Sequence, residues 1–297
     1  MASRLAERLA AIHETEQQAL ANRGVRSTAV IGLRSRAKAI AAYKSGATPD
    51  QIARLIRREL AKAAPIVAEG MVSGYLQGLA RAETSARVRM GVKLSTFDSV
   101  LKVLSNRADW TRENVQSLIG EYGKQAVTVT GEASGKVERL VSEAARNAIA
   151  QGLHRKDGIA AIRDAFDSAG ATVDNPYLYE TLYRDQVGKT YSAGRWQANQ
   201  APEIQEILWG SEFVTVGDDR VRDTHAVLDG CRMPKEHPDY GRFVSTPLDW
   251  GCRCSTIEIF TDDGALTLPN LPPPGALDAA IGVGFGHNWG AVFAPAA

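Results

Sequence analysis

Cysteine is scarce: the chain has three in 297 residues, at Cys231, Cys252 and Cys254. So few, placed so late, rule out the disulfide framework of a small secreted fold. Long apolar runs are missing as well, with no uncharged stretch of the roughly 18 residues that a membrane-spanning helix needs. The first thirty residues carry charge throughout and lack the apolar core and cleavage site of a secretory signal. The chain is therefore expected to be made and used in the cytoplasm, or in a particle assembled there. Nucleotide fingerprints are absent too. Gly131-Glu-Ala-Ser-Gly-Lys-Val137 has one residue too few between its glycines for a phosphate loop, and a valine where a magnesium-binding hydroxyl is required. The glycines of Gly282 to Gly290 lack the strand and helix that a dinucleotide site needs around them.

What is present is enough for two domains with a sizeable core, at 44% hydrophobic residues. The net charge of +1 conceals a polarity. Residues 1 to 150 hold 23 Lys and Arg against 14 Asp and Glu, a balance of +9, and residues 151 to 297 hold 12 against 20, a balance of −8. A basic half and an acidic half are expected to meet different partners. Arg34, Arg36 and Lys38, with Arg54, Arg57, Arg58 and Lys62, form the densest basic surface. Such an array could contact phosphate. Aromatic stacking partners are sparse around it, so a single-strand platform is excluded, and no base-reading motif appears.

Apolar spacing predicts helices over 3–22 and 30–44, the first through Leu5, Leu9, Ile12 and Leu20. Thr48-Pro49-Asp50-Gln51 is a capping box with proline at the first helical position. Helical pattern resumes over 65–90, where Gly70, Gly74 and Gly78 point to close helix packing in a soluble bundle. Shorter helices are expected at 95–106, 109–120 and 135–151, with a turn at Gly131–Val137 before the last. A further helix spans Gly152 to Phe166, and a long one opens at Asn175-Pro176 and runs to Asn199, its aromatic face covering a sheet.

Two strands are expected, over Glu206–Val216 and Ser255–Phe260. Between them glycines and prolines mark an ordered loop of about 35 residues, far longer than usual and short of apolar content, which needs a clamp. His225, Cys231, Cys252 and Cys254 are the candidates. One imidazole and three thiolates suit a tetrahedral zinc site, although the Cys252-x-Cys254 spacing is tighter than the usual knuckle. A disulfide from Cys231 and three free buried thiols stay open beside it. Asp218, Asp219, Arg220 and Arg222 alternate in charge and are expected to order the loop through arginine–carboxylate pairs. A general base at His225 oriented by Asp223 or Asp229 is the catalytic alternative, with no nucleophile at a diagnostic spacing.

The string Gly217-Asp218-Asp219-Arg220-Val221-Arg222, then His225, Leu228-Asp229-Gly230, Pro247 and Cys252-Arg253-Cys254, resembles the signature of the Mu F-like minor head proteins of tailed bacteriophages, the head morphogenesis family. Tyr183-Arg184-Asp185-Gln186 with Tyr191-Ser192-Ala193-Gly194-Arg195 resembles that family's second block, with Asp185-Gln186 standing where Thr-Glu is usual. The resemblance covers roughly residues 145 to 260. It implies a structural component of the virion, inside the head, that associates with portal protein and major capsid protein during assembly in the host cytoplasm and stays close to packaged DNA. No enzymatic role comes with it.

The expected fold is α+β: a mainly α-helical, basic N-terminal domain (1–150), a small α+β domain with the clamped loop (151–262), and a Pro/Gly-rich extended C-terminal tail (263–297). The tail is expected to dock Phe285, Trp289 and Phe293 on a partner, or to be disordered alone. Two other functions stay in play: a zinc-dependent hydrolase or transferase using His225 and the cysteines, and a DNA-binding packaging accessory acting through the basic half.

Overall fold

The computed structural model describes residues 2–89, 112–172 and 175–292. Helix α1 (Ala2–Lys44) is followed by α2 (Pro49–Leu60), a single 3-10 turn, α3 (Ala64–Arg89), α4 (Arg112–Ala150) and α5 (Arg155–Ser168). Then come α6 (Tyr177–Asn199), α7 (Pro202–Ile207) and strand β1 (Leu208–Val214). The long connection that follows carries α8 (Asp223–Ala226), β2 (Arg232–Pro234) and α9 (Tyr240–Phe243), and leads into β3 (Ser255–Phe260). Beyond β3 lie α10 (Ala276–Ala280) and α11 (Trp289–Val292). The α+β fold with its helical N-terminal region is the one expected.

The start of α2 is set as its sequence dictates. Thr48 Oγ1 accepts the Gln51 N–H at 3.3 Å, Gln51 Oε1 accepts the Thr48 N–H at 2.8 Å, and Pro49 opens the helix. Elsewhere glycine misleads. The break expected between 22 and 30 is absent, and α1 runs through Gly24 without interruption. A Cβ at Gly24 would fall within the ring of Tyr183, so this glycine serves close packing and not a turn. The turn expected at Gly131–Val137 is also absent, since α4 is continuous there. Within that stretch Ser134 sends its hydroxyl back to the Thr130 carbonyl at 2.7 Å inside the helix. The helix expected at 95–106 and the side chains of Leu5, Leu9, Ile12 and Leu20 lie outside the described residues.

The chain divides into two compact units. One gathers Leu20–Gly70 and Ile119–Arg184. Its core joins Ile52, Ile56 and Leu60 of α2 to Val137 and Val141 of α4 and to Ile162 and Phe166 of α5. Glu59, with 4% of its surface exposed, is held by Lys38 at 2.8 Å and Lys62 at 2.7 Å. Hydrogen bonds from these two ammonium groups, Lys38 first, pull its carboxyl down to about 2.

The other unit gathers Met1–Ala19, Met71–Leu118 and Asp185–Ala297. Its sheet is antiparallel in the order β2-β1-β3, with Ser211 opposite Met233 on one side and Glu258 on the other. The first expected strand starts later than Glu206, because Pro202–Ile207 is helical. The three-residue β2 lies inside the expected loop, too short for any periodicity to reveal it. Helices α3 and α6 cross within backbone contact. A Cβ on Gly194 would land on the Tyr75 carbonyl and 2.8 Å from Leu79 N, and one on Gly78 would land on the Tyr191 carbonyl. The small-residue stripe of α3 thus packs against α6, as its spacing implied.

Gly194→Ala should destabilise the protein by about 1–3 kcal/mol through overpacking of this crossing, read as a lower urea midpoint. Glu59 has its folded pKa below its unfolded value, so its contribution is complete above pH 4.5 and is lost as pH falls towards about 2. Glu59→Gln should flatten that part of the stability profile, by about 1 kcal/mol or less because both lysines are over half exposed.

Candidate metal centre and its supports

The site begins with α6, which presents Asp185 and Arg195 to the sheet and its long loop. Arg195 reaches β3, where its Nε and Nη2 donate to Glu258 Oε1 at 2.9 and 2.6 Å. Both side chains are almost fully buried, at 4% and 6% exposure. Burial alone would lower the Arg195 pKa, and the Glu258 charge more than restores it. Asn199 Nδ2 donates to the same oxygen at 3.3 Å. Asp185 is wholly buried, and its carboxylate accepts the Gly251 N–H at 3.0 and 3.2 Å. Gly251 has φ +68°, a conformation that favours glycine, and the bond fixes the backbone just before Cys252. Where the resembling family has Thr-Glu, this chain therefore has a carboxylate tying helix to loop.

His225, Cys252 and Cys254 converge behind that tie. Their ligand atoms all lie within 4.8 Å of one another. His225 Nδ1 sits 3.4 Å from Cys252 Sγ and 3.7 Å from Cys254 Sγ. A tetrahedral centre with metal–sulfur bonds near 2.3 Å and metal–nitrogen bonds near 2.05 Å would place N and S about 3.6 Å apart. The observed edges fit that geometry, and the three residues could hold a metal ion. The Cys252 thiol is held below its ordinary pKa by the hydrogen bond from Cys254 and, against the cost of burial, by His225. The Cys254 thiol is pushed up by the same contact with Cys252 and by burial. His225 is raised, first by its bond to Cys252, with burial opposing. Both thiols would have to lose their protons to a metal; the shift at Cys252 favours that and the shift at Cys254 opposes it.

The fourth expected ligand does not join them. Cys231 is buried in the same apolar cluster, but its thiol faces the Val227 carbonyl at 3.6 Å and lies outside the three-residue group. Its position on the α8-to-β2 turn directs it inward to pack. All three cysteines are free thiols, so the disulfide alternative fails. The catalytic alternative also loses its orienting carboxylate. Asp229 accepts from Thr215 N at 2.7 Å and Thr215 Oγ1 at 3.0 Å, Asp223 is exposed, and His225 Nε2 meets the Ala280 carbonyl at 3.0 Å.

The charged run does order its loop, with a redistribution of partners. Asp218 takes Arg220, through its backbone N–H and guanidinium, and also Arg253 between the two cysteines. The Arg253 guanidinium is the main reason that the Asp218 carboxyl is held well below its usual range. Arg222 donates to the Trp250 carbonyl at 2.6 Å and pairs with Asp249 at 3.7 Å. Asp219 is exposed and forms no ion pair among the described residues.

Of the seven basic residues, four are in ion pairs: Arg36 with Asp167, Lys38 and Lys62 with the one carboxylate of Glu59, and Arg57 with Glu138 through two bonds of 2.8 Å. Arg34, Arg54 and Arg58 are exposed and have no ion pair among the described residues.

Sequence reasoning missed the functions of Asp185, Glu258 and Ala280. Glu258 left a trace, as a lone charge within the apolar run of β3. Ala280 left none, because a backbone carbonyl has no residue code.

Residues 139–257 match the family model described as Phage Mu protein F like protein. No curated protein and no solved structure matches the chain. The match takes in α6, the whole clamped loop and all but the last three residues of β3.

Glu258→Ala strands a buried guanidinium and should cost about 3–5 kcal/mol in urea unfolding. The double variant Arg195→Leu with Glu258→Leu should recover much of that loss, which a repeat of the same titration would show.

Proposed function

We propose, from the premise that residues 139–257 are a Mu F-like segment and the chain a phage head morphogenesis protein, that it is a minor head component. It associates with portal protein and with the inner face of the major capsid protein as the head assembles in the host cytoplasm, and remains in the virion. The observation that carries this reading is the coincidence of the matched segment with the loop pinned by Arg195, Asp185 and the His225 cluster. No helix among the described residues is long and apolar enough to cross a membrane.

The cluster holds zinc as a structural ion. His225, Cys252 and Cys254 retain only 2%, 7% and 9% of their surface, so a bound ion would fasten the loop from inside. Three protein ligands leave one coordination position open, and a hydrolase or transferase would also need a cleft beside it. The cavity of about 210 Å³ in this unit is lined by Met233, His237, Arg242, Pro273 and Leu277 among others, and by none of the three ligands. The pinned surface is accordingly for docking.

DNA contact is a second reading, favoured by the exposed Arg34, Arg54 and Arg58. Replacing all three by alanine should make the log–log salt slope of duplex binding by the full chain shallower by about 3. A slope unchanged in that variant overturns their role.

Zinc should co-purify stoichiometrically with the wild type and be lost from Cys252→Ser and Cys254→Ser. Metal-free wild-type protein, unchanged in stability in both variants, overturns the zinc assignment. Co-expression with portal protein should yield a complex, and recovery of free portal and free chain overturns portal association.

A further inference from the structure

The C-terminal segment closes over the metal centre in a way that its sequence does not announce. Rather than waiting for a partner, Phe285 and Trp289 pack on the chain's own α6: Lys189 Nζ lies 3.7 Å from the Phe285 ring centre and 4.8 Å from that of Trp289. The Phe285 ring meets Trp250 edge-on at 5.2 Å. Gly282 N–H donates to the Leu248 carbonyl at 2.9 Å, and Leu277 and Ala280 share the apolar cluster of Cys252 and Cys254. Phe293 lies outside the described residues.

At the end of α10, a carbonyl without an intrahelical donor is turned on the site: Ala280 O lies 3.0 Å from His225 Nε2. A carbonyl can only accept, so it selects the tautomer with hydrogen on Nε2 and leaves the lone pair of Nδ1 facing the two sulfurs. That is the form a metal needs, and such supporting contacts orient ligating histidines elsewhere.

We propose that residues 276–292 are an outer-shell component of the metal centre, so that docking of this segment and loading of the ion at His225, Cys252 and Cys254 reinforce each other. The proposal rests on the metal reading above. Because linkage is reciprocal, the factor by which the docked segment tightens the ion is the factor by which the ion tightens the segment. Losing the contact should weaken metal binding by about 10- to 100-fold.

The test uses the full chain and two variants that leave the ligands untouched. In Gly282→Val the new side chain falls within the Asp249 carboxylate, its Cβ 2.6 Å from Cγ; Phe285→Ala removes the anchor ring. Co²⁺ titration, followed by thiolate-to-cobalt absorption in competition with a chelating dye, gives the affinity, and chymotryptic cleavage after Phe285 and Trp289 reports docking. The expected result is weaker binding in both variants by about 10- to 100-fold, with zinc slowing cleavage in wild type and not in Cys252→Ser. Equal affinity in wild type and both variants, or zinc protection that persists in Cys252→Ser, overturns the coupling while the metal centre stands. Absence of thiolate-to-cobalt absorption in wild type removes the metal centre itself and the coupling with it.

Discussion

A guanidinium and a carboxylate buried against each other, Arg195 on α6 and Glu258 on β3, set the terms for the rest of the C-terminal unit. Neither charge can be left alone in an apolar interior, so helix and strand must arrive in one register or the arrangement fails. The glycine contacts on an adjoining face of α6 narrow the choice further. With Gly194 against the Tyr75 carbonyl and Gly78 against that of Tyr191, α6 has no freedom to slide or rotate. A helix fixed on two adjoining faces becomes a ruler for what is built on it.

The long loop is built on that ruler. Between β1 and β3 the chain forms only short pieces of regular structure, yet, against the expectation of low apolar content, it buries Leu228, Met233, Tyr240, Phe243 and Leu248 in one cluster with its cysteines. Discrete polar ties add to that packing: Asp185 to Gly251 N–H, Asp218 to Arg220 and Arg253, Arg222 to Trp250. Each is modest where it is exposed to water. Together they bring Cys252 and Cys254 to His225 from opposite ends of the loop, so that a single ion would replace many weak constraints with one strong one.

How much of this the sequence disclosed depended on the kind of signal. The capping box at Thr48, the span of α6 and strand β3 were legible because local chemistry decides them. His225 with Cys252 and Cys254 was legible as a donor set, whereas Cys231 was not separable from it, since a thiol that ligates and a thiol that packs look alike in one dimension. Gly24 and Gly135 were read as punctuation, yet α1 and α4 run straight through them. At Gly24 the reason is tertiary, a tyrosine ring far along the chain. The tail was misjudged for a similar reason: its aromatics find Lys189 about a hundred residues earlier, and no local pattern records such a pairing.

The outer margin of the small sheet has a further property. Strand β2 meets the returning chain through a reciprocal backbone pair, Arg232 with Asn270, and the segment then continues as Leu271-Pro272-Pro273-Pro274. Proline has no amide hydrogen to offer. A foreign strand approaching that flank finds one ladder position already taken and ring carbons at the next ones, so the flank is closed to edge-to-edge joining. Such a blunt border lets neighbouring molecules crowd together without fusing.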